Sequence, residues 1–496
     1  MLTRSVLMMA LAAGWASLGP AALAAQHDSG NPSESTLASL TRQARRDFDS
    51  GKYSEARETL LAALKMAPAD PALWTYLGLT NAQLNQTDAA ITDFEKALSL
   101  APGNAQTLFN LGLLYRRKGD ARKSAEAYQR GLALEPDDAA ANRNYGLALM
   151  EEGKFAEAIQ PLAKLKASNP ADLSVRVALI ECYLKAGMKT EGEREIQSFL
   201  EAPGASAADE IKLAGVLVED KQPEAAETIL GQVVRSSPDS AEAHARLGTL
   251  LLNRNQYEEA TEQVGRAVQL SPESAAYSML LAQSLILWRH YPIAVRFLSA
   301  VKEKFEQLPE YHYKLGLAYY GMHQYPRAVS EFEVVASVQP SLDPVQFFLG
   351  NCYTSMGQLA KAESYYRKAI ALNPQDGSYD SVLAQVLLKE SDDNTDRAIA
   401  LFEKALALDA SDNSSKQELA LCYEKRLKYP QAERLLEQVV RHEPGRIPAH
   451  VALARIYYRK RKKQDGDRER RIVSRLEAEQ QERQSRAQQA SPPPNP

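Results

Sequence analysis

Cysteine, tryptophan and histidine are scarce in this chain of 496 residues, which contains only three, three and seven of them. Three cysteines cannot form a disulfide scaffold, and the histidines do not cluster at the spacings typical of a metal site. The formal net charge is only −4, which argues against a nucleic-acid-binding protein. Hydrophobic residues make up 45% and charged residues 25%, and these proportions exclude general disorder and a polytopic membrane protein.

The sequence also lacks the motifs that carry catalysis. It contains no P-loop, no G-x-G-x-x-G, no G-x-S-x-G and no H-E-x-x-H. Cys182, Cys352 and Cys422 each precede a tyrosine, and we expect them to be buried free thiols rather than metal ligands. We therefore predict that the protein is not an enzyme, has no catalytic residues and binds no cofactor or metal.

The first 25 residues have the composition of a secretory signal peptide. Arg4 supplies the positive start, residues 5–18 are uncharged and mostly apolar, and residues 21–25 are small enough for a cleavage site. An uncleaved membrane anchor is the alternative, because about 20 apolar residues can span a bilayer. We predict a secreted or periplasmic protein that contacts a membrane only if this segment stays uncleaved. Residues 26–36 are polar and predict a flexible leader.

Proline, glycine and alanine recur along the chain with a common period of 34 residues. The prolines that follow it are Pro68, Pro102, Pro136, Pro170, Pro238, Pro272, Pro340, Pro374 and, two residues late, Pro444. Glycines such as Gly78 and Gly112, and a row of alanines, keep the same period. Residues 37–446 therefore divide into twelve repeats, with a two-residue insertion around residues 390–396. Residues 447–488 are predicted to form a partial repeat and a basic capping helix.

Residues 309–342 illustrate the pattern within one repeat. The small and apolar positions are Leu315, Gly316 and Tyr319, followed by Ala328, Phe332 and Val335. Their spacing predicts two amphipathic helices, in which Gly316 and Ala328 allow close approach. Pro340 should end the second helix, because proline lacks the amide N–H and its ring clashes with the preceding turn. A single pair buries too little surface to be stable alone, so neighbouring pairs must stack.

These residues resemble the signature of the tetratricopeptide repeat family, W-x2-L-G-x2-Y, A-x3-F and P, every 34 residues. One repeat matches it with Trp74, Leu77, Gly78, Ala90, Phe94 and Pro102. The resemblance implies an all-α fold, a right-handed α-solenoid of about twelve helix-turn-helix repeats with a concave groove and a capping helix. It also implies a scaffold that binds a protein or peptide of unknown identity in that groove. An adaptor subunit of a cell-envelope machine for polysaccharide export or outer-membrane assembly is the alternative.

One repeat departs from the pattern. In residues 173–206, Gly192 replaces the alanine and Pro203 lies one place early. The segment is either a divergent repeat or a hinge at residues 202–207 between five N-terminal and seven C-terminal repeats. We favour the divergent repeat, because loops tolerate such changes.

Aromatic residues concentrate in residues 275–376, which hold 16 of the 36 in the chain. Tyr313, Tyr320, Phe347 and Asn351 fall at places that the family turns toward its groove. We predict that they form a binding patch, because aromatic side chains offer a large contact area at low entropic cost. Ordinary packing between neighbouring repeats is the alternative.

The C-terminal end is basic. From residue 455 onward, twelve Lys or Arg residues face six acids, so this end carries +6 and the rest of the chain −10. The candidate anion patch consists of Arg459, Lys460, Arg461, Lys462 and Lys463. A solvated capping helix is the other interpretation, since charged runs usually face solvent. We predict no nucleic-acid partner and a disordered proline-rich tail at residues 489–496.

Overall fold

The computed structural model describes residues 32–202 and 205–490, apart from the side chains of residues 32–34, 484 and 486–490. The predicted signal peptide, Pro203 and the end of the tail therefore lie outside the described residues. Within these ranges the chain forms 27 α-helices, one short 3-10 helix and no strand, which confirms the all-α class. The chain divides into two compact units between Ala243 and His244.

The first unit consists of antiparallel helix pairs that stack in chain order, as an α-solenoid does. Its helices are α1 (Pro32–Asp49), α2 (Tyr53–Met66), α3 (Pro71–Gln83), α4 (Thr87–Leu100), α5 (Ala105–Arg117), α6 (Ala121–Leu134), α7 (Ala139–Glu151), α8 (Phe155–Ser168), α9 (Leu173–Lys185), α10 (Lys189–Leu200), α11 (Ala207–Glu219) and α12 (Pro223–Ser236). Each pair corresponds to one repeat of the sequence.

The second unit continues the same pattern, and α13 (Ala241–Asn253) contains the border between the units. Its further helices are α14 (Tyr257–Leu270), α15 (Ala275–Leu287), α16 (Tyr291–Ala300), α17 (Lys302–Phe305), α18 (Pro309–Gly321), α19 (Tyr325–Val338), α20 (Asp343–Ser355), α21 (Leu359–Leu372), α22 (Gly377–Glu390), α23 (Thr395–Leu408), α24 (Asn413–Lys425), α25 (Tyr429–His442), α26 (Ile447–Arg459) and α27 (Lys463–Ala490). The described residues thus hold thirteen helix pairs.

Both ends of the described chain are more helical than the sequence predicted. Helix α1 begins at Pro32, inside the predicted leader of residues 26–36. Proline suits the first turn of a helix, because the amide N–H that it lacks would have no partner there. At the other end, α26 and α27 form a complete pair rather than a partial repeat, and α27 continues to Ala490, two residues into the predicted tail.

The prolines of the 34-residue period end the second helices, as predicted. Helices α2, α4 and α25 end at Met66, Leu100 and His442, two residues before Pro68, Pro102 and Pro444. The residue between helix end and proline leaves the helical conformation, because the proline ring disfavours that conformation in the residue before it. Ala67, for example, has φ −133° and ψ 71°.

The turn between the two helices of a repeat places one residue in the left-handed region, and we call this the turn position. It is occupied by Gly51, Asn85, Gly119, Gly153, Gly187, Lys221, Asn255, Arg289, His323, Gly357, Leu427 and Arg461. The repeat that starts at residue 377 is the exception. There the predicted insertion forms a 3-10 helix, Asp392–Asn394, before α23 begins.

Glycine in the first helix makes room for a ring of the second. A Cβ atom on Gly316 would lie 2.7 Å from Phe332, and one on Gly350 would lie 2.7 Å from Tyr366. Both rings are fully buried, so neither can move aside. The close approach predicted for Gly316 is therefore confirmed.

Polar side chains tie several of the first helices to the loop before them. The indole Nε1 of Trp74 donates to the carbonyl of Pro68 at 2.9 Å. At the same repeat position, Asn142 donates to the Pro136 carbonyl at 3.0 Å, and His450 Nε2 lies 3.0 Å from the Pro444 carbonyl. The signature tryptophan can thus be replaced, because any side chain with a correctly placed N–H serves.

Tyrosines of the first helices bond back to the preceding repeat. The Tyr457 hydroxyl donates to Glu437 Oε1 at 2.9 Å, and the Tyr353 hydroxyl donates to Glu333 Oε1 at 3.2 Å. In both cases the glutamate lies 20 residues earlier, on the second helix of the previous repeat. These bonds therefore connect neighbouring repeats rather than the helices of one repeat.

The divergent repeat of residues 173–206 keeps its two helices, α9 and α10. Arg176 stands in the place of the signature tryptophan, and its Nε lies 2.8 Å from Glu195, with both side chains almost fully buried. A buried ion pair thus takes the place of the signature tryptophan in this repeat. The border between the two units lies near residue 243 and not at residues 202–207, so the hinge stays a prediction.

No helix within residues 32–202 and 205–490 is long and apolar enough to cross a membrane. The predicted anchor or signal segment lies outside these residues.

Candidate functional site

Three of the four predicted groove residues converge on a ring that the sequence did not single out. Tyr313 and Tyr320 of α18 contact Phe348 of α20, with centroid distances of 6.3 and 5.5 Å. Phe347 lies 5.8 Å from Phe348. All four side chains are half-buried. We call Tyr313, Tyr320, Phe347 and Phe348 the aromatic face.

The aromatic face rests on the hydrophobic core of its unit. Phe332 is fully buried and stacks on Phe348 at 5.5 Å, with an angle of 19° between the rings. Phe347 also packs 5.0 Å from Tyr379 in the next repeat. The rings therefore take part in packing between neighbouring repeats, which was the alternative to a binding patch. Each side chain nevertheless presents some surface to solvent.

Asn351 lies beside the aromatic face and is oriented by a buried tyrosine. The Tyr366 hydroxyl donates to Asn351 Oδ1 at 2.7 Å, and it lies 3.1 Å from Thr354 Oγ1. Burial raises the pKa of Tyr366, so the hydroxyl keeps its proton at neutral pH. The Asn351 amide nitrogen has no partner within the described part of the chain.

A lysine adjoins the aromatic face on α18. Lys314 is 9% exposed, and its Nζ donates to Gln283 Oε1 at 3.0 Å and lies 3.8 Å from Glu310. Burial lowers the pKa of Lys314, and the nearby Glu310 carboxylate opposes this effect. Lys314 and Phe348 occupy the same place in consecutive repeats, but the 34-residue period by itself marks neither as a site residue.

The candidate anion patch is partly neutralised. Lys460 and Lys462 both donate to Glu433, the latter at 2.5 Å. Burial of Glu433 opposes its ionisation, but the bonds from the two lysines outweigh it and lower its pKa. Arg461 takes the left-handed turn position, and Lys463 is exposed at the start of α27. The run RKRKK therefore divides between an internal ion pair and solvent.

The C-terminal helix α27 docks through buried contacts at its beginning. His450 Nδ1 lies 2.6 Å from Glu469 Oε2, and both side chains are nearly fully buried. Gly466 lies directly against the ring of Tyr458, because a Cβ there would come within 2.8 Å of it. These contacts fit the capping helix that the sequence predicted.

Other polar clusters of the described residues have structural partners. Asp376 and Asp412 line a cleft of about 410 Å³, but their carboxylates accept backbone N–H groups at the starts of α22 and α24. Among the described residues, no group of His, Cys, Asp and Glu could hold a metal ion.

The three cysteines are buried and free, as predicted. Burial raises the pKa of Cys182 and Cys352 to about 12 and that of Cys422 to about 11. A thiol with such a pKa is protonated at neutral pH and is a poor nucleophile.

Solved structures of repeat proteins resemble this chain at low identity. Yeast Tom70 is 16% identical, with 92% of this chain and 100% of that chain covered and a TM-score of 0.40. A tetratricopeptide repeat protein from Parabacteroides merdae is 21% identical, with 51% and 99% covered and a TM-score of 0.37. The Cut9–Hcn1 hetero-tetramer of APC/C is 15% identical, with 89% and 94% covered and a TM-score of 0.39. No curated protein matches.

Family models described as tetratricopeptide repeats match most of the repeats. The matched residues are 41–105, 109–172, 217–284, 345–376 and 391–456. Together these matches cover more than half of the chain, and none of the models describes an enzyme. The chain belongs to the tetratricopeptide repeat family.

Proposed function

We propose that this protein is a non-catalytic scaffold that binds a peptide or a protein segment on its aromatic face. The observation that carries the proposal is the convergence of Tyr313, Tyr320 and Phe347 on Phe348, with each side chain still partly exposed. Asn351 adds an oriented amide donor at the edge of these rings.

The aromatic face is suited to binding because its rings are already held in place. Phe348 is fixed by stacking on the buried Phe332, so a ligand does not have to order it. Rigid aromatic side chains lose little conformational entropy on binding, and they dominate the energetics of many interfaces. Binding of proteins or peptides is also the general role of tetratricopeptide repeats.

A double substitution tests this function. The chain is first used to select ligands from a displayed peptide library. Tyr313→Ala combined with Phe347→Ala should then weaken capture by at least about tenfold, because aromatic hot spots contribute about 2 kcal/mol or more. Val451→Ala is the control, because Val451 is the counterpart of both Tyr313 and Phe347 in the last repeat. Unchanged capture by a folded double variant, judged by its thermal melt, would refute the proposal.

We also propose that the protein acts outside the cytoplasm, in the periplasm or after secretion. The support is the composition of residues 1–25, with Arg4 before an uncharged, largely apolar stretch.

A further inference from the structure

Asp343 places a negative charge beside the aromatic face. Its Oδ2 accepts from the Tyr379 hydroxyl at 2.8 Å and from Asn373 Nδ2 at 3.1 Å. The ring of Tyr379 lies 5.0 Å from that of Phe347. Burial raises the pKa of Tyr313 and the charge of Asp343 adds to this effect, so the carboxylate is close to Tyr313 as well. Among the described residues no Lys, Arg or His forms an ion pair with Asp343, so its charge is available to a ligand.

Neither helix capping nor the repeat pattern accounts for this carboxylate. Asp343 begins α20, but no backbone N–H of the described residues bonds to its side chain. The first position of every other repeat, from Leu37 to Ile447, holds an uncharged residue. The start of a helix stabilises a negative charge, so Asp343 is held in its ionised form. The acid is therefore a feature of this one repeat, the repeat that also contributes Phe347 and Phe348.

Two further carboxylates lie nearby, and the lysine that adjoins the aromatic face is buried. Burial raises the pKa of Tyr379, and the charges of Asp343 and Asp376 add to the shift, which places Asp376 close to this hydroxyl. Lys314 is 9% exposed, and its Nζ lies 3.8 Å from Glu310, whose side chain is 59% exposed. A ligand therefore meets carboxylates here rather than the ammonium group.

The rings of the aromatic face also lack a cation, unlike other tyrosines of the chain. Lys123 lies over the ring of Tyr115 at 5.3 Å, and Lys361 lies over that of Tyr353 at 5.0 Å. Within residues 32–202 and 205–490, no Lys or Arg stacks in this way on a ring of the aromatic face. The face of an aromatic ring attracts a cation, more strongly when water is displaced. One basic group of a ligand can therefore meet both a carboxylate and a ring.

From the unpaired carboxylate and the uncovered rings, we infer that the aromatic face binds a basic segment of a partner protein, with an arginine or lysine beside Asp343 and against the rings. This inference rests on the proposed function and specifies the chemistry of its ligand. Arginine suits the place best, because its planar guanidinium pairs with a carboxylate and stacks on an aromatic ring at the same time.

Peptide selection with the full chain tests the inference. Peptides from the displayed library bind the aromatic face if Tyr313→Ala combined with Phe347→Ala weakens their capture. We expect these peptides to contain arginine or lysine. Replacing that residue by glutamine should weaken binding at least about fivefold, because an ion pair and a cation–π contact are lost together. Binding should also weaken as the salt concentration rises, because salt screens the ion pair.

A substitution in the chain locates the charge. Asp343→Asn removes the charge and keeps an oxygen that can accept from Tyr379. In this variant the difference in affinity between a selected peptide and its glutamine form should shrink at least about threefold. Asp393→Asn removes the same charge at an exposed position of the 3-10 helix and should preserve the full difference. Thermal melts show that both variants are folded.

The outcomes distinguish the inference from the proposed function. If peptides that bind the aromatic face contain no arginine or lysine, or prefer them equally in the parent chain and in Asp343→Asn, the inference is overturned and the scaffold function stands. If no peptide binds through the aromatic face, both fall. A dimer of the full chain that Asp343→Asn abolishes, measured by sedimentation, would identify the occupant as the basic end of a second copy and would overturn a foreign partner.

Discussion

At the scale of single residues, the turn position requires a left-handed backbone, and only some repeats place glycine there. Gly357 meets it with φ 73°, whereas Leu427 adopts φ 59° with its side chain 70% exposed. A left-handed backbone brings Cβ too close to the following carbonyl oxygen, which costs about 1 kcal/mol or more in residues other than glycine.

We predict that Leu427→Gly increases the free energy of unfolding by about 0.5–1 kcal/mol, because glycine lacks the strained Cβ. Urea denaturation of the variant beside the parent chain would measure it. Leu427→Ala keeps the Cβ atom and should give no such gain. An equal gain in both variants would assign the effect to the exposed leucine side chain rather than to the backbone.

A second residue-scale effect concerns a buried carboxylate in the first unit. Asp93 is 7% exposed, and its Oδ2 accepts from Asn81 Nδ2 at 2.6 Å. Burial raises the pKa of Asp93 to about 6, although the bond from Asn81 and the charge of Arg57 oppose the shift. Asn81 Oδ1 is buried without a partner. At neutral pH the fold therefore holds an unfavourable negative charge here.

The pH dependence follows from the direction of this shift. The folded chain binds the Asp93 proton more tightly than the unfolded chain, so this carboxyl destabilises the fold as pH rises from about 4 to about 6. Asp93→Asn should raise the unfolding free energy at pH 8 by at most about 3 kcal/mol, and the gain should vanish near pH 4. Urea denaturation at both pH values measures this. Asp88→Asn, at an exposed position of α4, is the control without such a gain.

At the scale of helices, the stack is held together by core packing and by hydrogen bonds from one repeat to the next. The tyrosine–glutamate bonds, such as Tyr457 to Glu437, join a first helix to the second helix of the preceding repeat. The repeat signature includes a tyrosine at this position, but it indicates no glutamate partner. The tyrosine hydroxyls add a connection that depends on the neighbouring repeat.

We predict that Tyr457→Phe lowers the unfolding free energy by about 1 kcal/mol, because one intramolecular hydrogen bond is lost. Tyr319→Phe is the matched control. Tyr319 occupies the same repeat position, but Ser299 stands where the glutamate would be and bonds to the Val295 carbonyl instead. Equal losses in the two variants, measured by urea denaturation, would show that the bond to Glu437 contributes nothing.

At the scale of the whole molecule, the first 25 residues have the composition of a signal peptide. The net charge is +6 from residue 455 onward and −10 in the rest of the chain. We expect that the chain, when expressed from Met1 in a bacterium, is exported and shortened by 24 or 25 residues. Fractionation and intact mass would measure this. Leu11→Arg puts a charge into the apolar stretch and should leave full-length protein in the cytoplasm. Full-length parent protein in the cytoplasm would contradict the expectation, and full-length protein in the membrane would favour the anchor.

The positions of the helices could be predicted from the sequence because they depend on local chemistry. Prolines such as Pro68 end helices within two residues, and the pairing of Gly316 with Phe332 follows from their places in the repeat. The left-handed residue in the turn of each repeat was not predicted, although Gly119, Gly153 and Gly187 recur there with the 34-residue period.

The candidate site was predictable only in part. Tyr313, Tyr320 and Phe347 could be predicted because they fall at family groove positions, whereas Phe348 is identified only by its contacts with Tyr313, Tyr320 and Phe332. The ion-pair partners of the basic run could not be predicted from the sequence at all. Lys460 and Lys462 bond to Glu433 on α25, a helix of the preceding repeat, and a run of like charges gives no sign of such a partner.

The sequence by itself thus determined the repeat unit and its two helices, because proline, glycine and apolar spacing act on the chain within one repeat. Tertiary structure decided which side chains meet across repeats: the rings around Phe348, the burial of Asp93 and the partners of the basic run. Those contacts depend on how the surfaces of adjacent helix pairs fit together, and that fit is set by packing in three dimensions rather than by spacing along the chain.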